Sequence, residues 1–460
     1  MHLPPGAEQL ASLRSQPDLL ISIILEQARV IAELRAQVAS LTGRVRELEN
    51  QNHPPAAPFR RARPGDALPR GKPGRKPGHA PGWKKAPAHI DEHIEAPLQP
   101  VCPACSCALV AIQPLDQYIE DIIPARKHVT HLRTHQGYCP KCGQVAASTH
   151  PRQVSFAGGA AGTHLGARAL GVACMLKHQM GLSFAKTCEA LKELCGITIT
   201  PGGLAQLFQR VSRTLQPDYE TLHAQLLQSK SVHTDETSWY VGKPKPSLCV
   251  YCTPQVTYYR VVESKRRETL HETIPPDWPG VLVSDCLSVY DDATPIQQKC
   301  YAHHLKAIKQ AIEQGADGQP GSYLDRCAQL LHSAMGMKKS REPRAPPQRE
   351  EQVRIIKLAA QALLESALVD KPLEEAVRVR LWKQHDHLFT FLEKEGVEPT
   401  NNLAERQLRP AVIARKLSCG QRTWKGARAW EVLTSVGASA KQTAVSFIDL
   451  VATRCSFAAR

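Results

Sequence analysis

Residues Gly280-Val281-Leu282-Val283-Ser284-Asp285 form a short apolar run that ends on a carboxylate. A run that is apolar on successive residues, rather than on alternate ones, fits a central strand covered on both faces. Three strand-like segments precede it, at Val232 to Val241, Ser247 to Thr253 and Val256 to Val262, with a short helical stretch at Glu268 to Ile274. Residues from about 300 to 395 then read as helical, apart from a Lys/Arg/Pro-rich interruption at Lys338 to Arg349, and 401–460 reads as helical and basic. This order calls for an α/β core built around a mixed sheet, with a helical insertion at 305–398 that splits the core into 229–304 and 399–460.

The region before the core has a different character. Ile31, Leu34, Val38, Leu41, Val45 and Leu48 follow the 3-4-3-4 spacing of an a/d seam, so 18–50 is expected to be a coiled-coil helix that self-associates. An amphipathic helix packed on its own domain would show the same spacing. Residues 54 to 88 carry nine prolines and nine basic residues against one acid, Asp66. Such a segment cannot bury a core, and 51–90 reads as a disordered basic linker. Its Pro73-Gly74-Arg75-Lys76-Pro77-Gly78 piece resembles short basic hooks that lie in A·T-rich minor grooves. Within 151–228, two periodic stretches, Leu182 to Leu194 and Gly203 to Leu215, are joined by Cys195 to Pro201, with Thr200 as N-cap and Pro201 at the first helical position. This pair suits a DNA-reading helix-turn-helix or a structural helical hairpin equally well.

The formal charge of +15 asks for a polyanionic partner. No stretch approaches the roughly 18 consecutive apolar residues of a spanning helix, which points away from a membrane and toward nucleic acid. Met1 to Gln9 shows no basic region leading into an apolar core, so a cytoplasmic, nucleoid-associated protein is expected. In that reducing setting most of the fifteen cysteines, such as Cys174, Cys188 and Cys249, read as buried inert thiols.

Four cysteines differ. Cys102-Pro103-Ala104-Cys105 and Cys139-Pro140-Lys141-Cys142-Gly143 are two C-x-x-C knuckles inside an expected small domain at 91–150. Together they offer the tetrahedral thiolate set of structural zinc, with Val129 to Tyr138 as the returning strand of a hairpin. Cys107 fits the spacing less well than Cys105, and a disulfide is the alternative use.

Three acids form the second constellation. Asp235 lies on the first strand, Asp285 ends the apolar strand, and Glu405 lies in Asn401-Asn402-Leu403-Ala404-Glu405-Arg406, where an Asn cap opens a helix that Pro410 should end or kink. Two carboxylates on neighbouring strands and one on a covering helix can converge on two Mg2+ or Mn2+ ions, which prefer hard oxygen ligands. Each acid also has an ordinary use, as turn, cap or partner of Arg409 one helical turn on, and Glu236, Asp291 and Asp292 compete for the role. Between 401 and 428 stand seven basic residues, among them Arg409, Arg415 and Lys416, and the single acid Glu405. A lone acid in such a stretch suits a carboxylate beside a DNA backbone.

At these residues the chain resembles insertion-sequence transposases of the IS-sixty-six type. Asn401 to Pro410, followed by Arg415-Lys416, is similar to the signature around that family's catalytic Glu. His233 to Trp239 and Val281 to Tyr290 are similar to its two Asp motifs, and Lys299 to Leu305 to the Cys-x-x-His segment that follows. The resemblance runs from about residue 20 to 455. It implies a ribonuclease H-like core, catalytic Asp235, Asp285 and Glu405, DNA cleavage at element ends with transfer of 3′-hydroxyls to target DNA, and accessory proteins of the same element. His303 or His304 would lie near the site or serve in packing. Lys416-Leu417-Ser418 replaces the Lys-Asn-Trp of many members.

Overall fold

The computed structural model describes residues 87–96, 103–108, 117–120, 127–150, 165–339, 346–365 and 370–456, with a few single positions between them. The coiled-coil segment, nearly all of the basic linker with Arg75 and Lys76, and Cys102 lie outside the described residues. The chain divides into two units, Met1–Tyr118 and Ile119–Arg460. The described residues of the first are exposed coil with a turn at 103–105.

The second unit opens with a two-stranded antiparallel hairpin, β1 (Gln136–Tyr138) and β2 (Val145–Ala147), paired from Gln136 with Ala147 to Tyr138 with Val145. The strand expected from Val129 is confined to Gln136–Tyr138, and the knuckle Cys139 to Cys142 forms the turn after it. Four helices follow. These are α1 (Ala167–Cys174, continued by a π-helical turn at Met175–Gln179), α2 (Phe184–Cys195), α3 (Pro201–Thr214) and α4 (Gln216–Leu227). Thr200 Oγ1 accepts from Gly203 N at 3.1 Å and Pro201 takes the first turn, as the sequence requires. Helix α3 buries Leu204, Leu207, Phe208 and Val211 and leaves Arg210 and Arg213 exposed.

A five-stranded mixed sheet comes next: β3 (Ser231–Val241), β4 (Lys243–Cys252), β5 (Thr257–Val262), β6 (Val281–Ser284) and β7 (Gln297–Lys299). Its order is β5-β4-β3-β6-β7. The pairs β3–β4 and β4–β5 are antiparallel, whereas β6 runs parallel to β3 and β7 parallel to β6. The short helix α5 (Arg267–His271) lies between β5 and β6. This mixed α/β arrangement is compatible with a ribonuclease H-like core. The apolar run is a buried central strand, as its composition demands, with all four residues of β6 buried.

Alternation along β6 divides the hydrophobic cores. Leu282 joins one cluster with α1–α4 and the buried face of α12 (Trp424–Gln442), including Val432, Leu433 and Val436. Val281 and Val283 point the other way, into a cluster with the insertion helices α6 (Tyr301–Glu313), α7 (Tyr323–Lys339), α8 (Pro346–Leu364), α9 (Pro372–Lys383) and α10 (Thr390–Glu393). A third cluster packs Trp239, Leu248, Val250 and Tyr259 of β3–β5 against Ala404, Leu408 and Ala411 of α11 (Asn402–Ser418) and Trp430 of α12. The last helix is α13 (Phe447–Cys455).

Two local expectations are corrected. Strand β7 was not expected, because Gln297, Gln298 and Lys299 are polar yet fully buried. Their side-chain donors are used internally: Gln297 Nε2 donates to the Thr294 carbonyl at 3.1 Å, Gln298 to the carbonyls of Lys299 and Leu388, and Lys299 Nζ to Ser284 Oγ at 3.2 Å. A hydrophobic pattern cannot report a strand held in this way. Helix α11 also does not end at Pro410 but continues to Ser418. The lost bond would have joined Pro410 to the Arg406 carbonyl, and both residues are exposed, so solvent can serve that carbonyl.

Among the described residues no helix is long and apolar enough to cross a membrane. Helices α1 and α13 pack so closely at Gly171 that a Cβ there would stand 2.4 Å from the Ile448 carbonyl oxygen. Gly171→Ala is therefore expected to cost about 1–3 kcal/mol, read from denaturant midpoints; an unchanged midpoint would show that the two helices part freely.

Candidate active site

The parallel register of β3 and β6 pairs Ser231 with Val281, Val232 with Leu282 and His233 with Val283. Continued two residues further, it sets Asp235 beside Asp285, on strands that run about 4.8 Å apart. Asp235 Oδ1 accepts from Glu236 N at 2.8 Å, and Asp285 Oδ1 accepts from Leu287 N at 3.0 Å. Each carboxylate is thus oriented by its own backbone.

Glu405 reaches the same place through Asn401. Asn401 stands at the cap position of α11, but its side chain makes no capping bond, contrary to expectation. It is fully buried and turned onto β3 instead. Its Nδ2 donates to the Thr234 carbonyl at 2.7 Å, and its Oδ1 lies 3.2 Å from His233 Nδ1. Burial lowers the His233 pKa to about 4 against the opposing Asn401 bond, so the ring is neutral. A neutral ring facing a carbonyl oxygen carries its proton on Nδ1. The first turn of α11, with Glu405 N bonded to the Asn401 carbonyl at 3.2 Å, is thereby pinned next to the residue before Asp235.

The electrostatics record this convergence. The Asp235 carboxyl is pushed up to about 7, first by burial, against the Glu236 N–H, and then by the charges of Glu236, Asp285 and Glu405. The competing acids are engaged elsewhere. Glu236 points to the opposite face of β3, where it accepts from Lys265 Nζ at 3.1 Å and from the Tyr290 hydroxyl. Asp291 accepts from Lys383 Nζ at 2.7 Å and Gln384 Nε2 at 2.8 Å. Asp292 takes a positive φ of 51° in the turn that follows.

The basic residues around Glu405 separate into two groups. Arg415 is tied to β3, donating to Thr237 Oγ1 at 2.9 Å and Ser238 Oγ at 2.6 Å. Arg428 pairs with buried Glu431 at 2.7 Å. Arg406, Arg409 and Lys416 are exposed on α11. The loop after α11 closes onto the end of β3, where Gln421 N donates to the Tyr240 carbonyl at 2.9 Å and Trp239 Nε1 to Gln421 Oε1 at 2.6 Å.

Two residues at the start of α6 stand close by. Cys300 Sγ accepts from Asn401 N at 3.1 Å, and the ligand atoms of Cys300, His303 and Glu405 all lie within 4.8 Å of one another. Asp235 and Asp285 are not part of that group. His304 is buried, its pKa pushed down to about 3 by burial, and its Nε2 is 3.5 Å from Cys286 Sγ. The structural tie through Asn401 and the convergence of Cys300 on Glu405 were not read from the sequence. The only advance signal was the Asn401-Asn402 pair and the Cys300-x-x-His303 spacing.

At the knuckle, Cys139 and Cys142 flank a tight turn, with Cys139 N bonded to the Gln144 carbonyl at 2.9 Å and Gly143 N to the Cys139 carbonyl at 2.9 Å. The Cys139 thiol is pulled down chiefly by the Cys142 backbone N–H. Cys105 is exposed.

The fold and this group of carboxylates define a mixed α/β protein with an acidic centre at the end of a parallel strand pair. Residues 162–429 match the Transposase IS66 family, more than half of the chain, and the chain belongs to that family. Membership supports a transposase role and implies DNA binding and use of a divalent metal. No curated protein matches the chain.

A raised carboxyl contributes stability that is complete below the usual Asp value of 3.8 and is lost as pH rises through about 7. In metal-free buffer Asp235→Asn, which stays neutral, should out-melt the wild type by a margin that grows across that window and levels off above it. A margin independent of pH would show that Asp235 carries no such burden.

Proposed function

We propose that the chain is a DDE transposase in which Asp235, Asp285 and Glu405 jointly hold two Mg2+ or Mn2+ ions and act on DNA ends. The observation that carries this reading is the parallel register that relates Asp235 to Asp285, together with the Asn401 bond that holds the Glu405 turn on the same strand; the raised Asp235 carboxyl, pushed up first by burial, is in keeping with it. Three carboxylates forced together in a partly buried site are costly unless cations or protons offset them. Their all-oxygen donor set fits magnesium. When bound, such ions activate an attacking hydroxyl and stabilise the leaving oxygen of a phosphodiester.

The chain's own groups supply orientation and charge. The Glu236 and Leu287 N–H groups aim the two Asp carboxylates. Asn401 holds the Glu405 turn against β3. Exposed Arg406, Arg409 and Lys416 offer cations to the DNA backbone beside the acids. In the first step water attacks the phosphorus at an element end. A P–O bond to water forms, the bond to the 3′ oxygen breaks, and that oxygen takes a proton to leave a free 3′-hydroxyl. In the second step this hydroxyl attacks a target phosphodiester, forming one P–O bond as another breaks, with no covalent protein–DNA intermediate.

The remaining modules complete the proposal. The Cys139–Cys142 turn, with Cys102 and Cys105, holds a structural Zn2+. The heptads of 18–50 join copies of the chain into a homo-oligomer, and the basic linker with Arg75 and Lys76 follows phosphate.

Asp285→Asn and Glu405→Gln should each reduce cutting of labelled element ends at least about 10³-fold while leaving end binding intact in a mobility-shift assay. Either variant cutting at the wild-type rate would remove that residue from the centre. A wild type that binds ends but never cuts would leave only a DNA-binding protein.

A further inference from the structure

Glu405 has a second set of neighbours that magnesium chemistry does not use. Cys300 is fully buried at the N-cap of α6, and His303 follows it by one helical turn. Their ligand atoms and a Glu405 oxygen all lie within 4.8 Å of one another. The Cys300 sulfur accepts from Asn401 N at 3.1 Å, and the backbone N–H groups of Ala302 and His303 also bear on it. Burial pushes the Cys300 thiol up and these N–H groups only oppose it, so a bound cation is what would hold the sulfur as thiolate, the form that binds metal. His303 Nδ1 is buried with no hydrogen-bond partner, an expensive condition for a ring nitrogen.

A simpler use of Cys300 is to cap α6. Capping needs one acceptor at the helix start; it gives no reason for an imidazole and a carboxylate from another helix to close on the same sulfur. Thiolate, imidazole and carboxylate together form a donor set for zinc and poorly suit magnesium, which prefers oxygen. Three protein ligands leave one position open. The same residue, Asn401, touches Cys300 through its backbone N–H and β3 through its side-chain amide, so both flanks of the group are fixed by one buried residue.

We propose that Cys300, His303 and Glu405 form a second, thiolate-bearing cation site that takes a zinc-class ion and competes with the magnesium centre for Glu405. The competition rests on the transposase reading above; the site itself does not. A bound zinc-class ion engages Glu405 and withdraws it from the Asp235–Asp285 pair, so the ion inhibits DNA cutting.

Cobalt(II), whose thiolate complexes absorb visibly, tests the site on the full-length chain. Wild type should bind one more equivalent of cobalt per chain than Cys300→Ser or His303→Gln, with a thiolate band that these variants lose. Cobalt at the Cys139–Cys142 knuckle would persist in both variants and vanish in Cys139→Ser, which separates the two sites. Folded Cys300→Ser and His303→Gln binding as many equivalents as wild type would overturn the proposal. Should either variant fail to fold, Cys139→Ser decides: with the knuckle removed it must still bind one equivalent of cobalt with a thiolate band, and folded Cys139→Ser without that band would overturn the proposal. Both readouts stand even if the chain cuts no DNA. Where it does cut, zinc inhibition should be relieved in Cys300→Ser.

Discussion

The Asn401 side chain joins three parts of the molecule at one buried point. Its amide donates to the Thr234 carbonyl, its oxygen faces neutral His233, and its backbone N–H donates to Cys300 Sγ. Strand β3, helix α6 and helix α11 therefore meet in one hydrogen-bonded node with no exposure to solvent. Such a bond is worth little net, but leaving any of these buried groups unpaired is expensive. The node consequently fixes position rather than merely adding stability. Glu405 is set one helical turn beyond it and Asp235 one residue beyond its β3 contact. Without it, three carboxylates separated by up to 170 positions in the chain would have no common reference.

The strands legible in advance were those whose pattern is apolar. β3, β4, β5 and β6 lie within a few residues of where Val, Leu and Tyr place them. Strand β7 was invisible because Gln297, Gln298 and Lys299 stay buried through hydrogen bonds rather than apolar surface. Pro410 does not end its helix, and the carbonyl it frees belongs to exposed Arg406, where solvent can serve it. Thr200 and Pro201 were read correctly because capping is a local rule. Asn401 followed no local rule. The same residue type serves as cap or as tertiary tie, and only the neighbouring strand decides which.

At the candidate site the sequence left open which way each acid faces. Asp235 and Glu236 are adjacent in sequence, but the strand period sends them to opposite faces, and the partners of Glu236 on its own face are Lys265 and Tyr290. The register of β3 on β6 then relates Asp235 to Asp285. The basic stretch was read as one surface, whereas Arg415 and Arg428 are engaged within the protein and Arg406, Arg409 and Lys416 are free to meet phosphate. A count of charges along the sequence cannot make that division, because it depends on which side of α11 and α12 is packed.

On the proposed reading, one acidic centre performs two successive reactions on DNA. The most direct test incubates wild-type protein and Mg2+ with end-labelled element DNA and an unlabelled target, and resolves the products by size. A transposase centre should give nicked ends bearing free 3′-hydroxyls together with longer molecules in which the label is joined to target. Cut ends with no joined product, at any time or metal concentration, would contradict it and leave a hydrolytic nuclease.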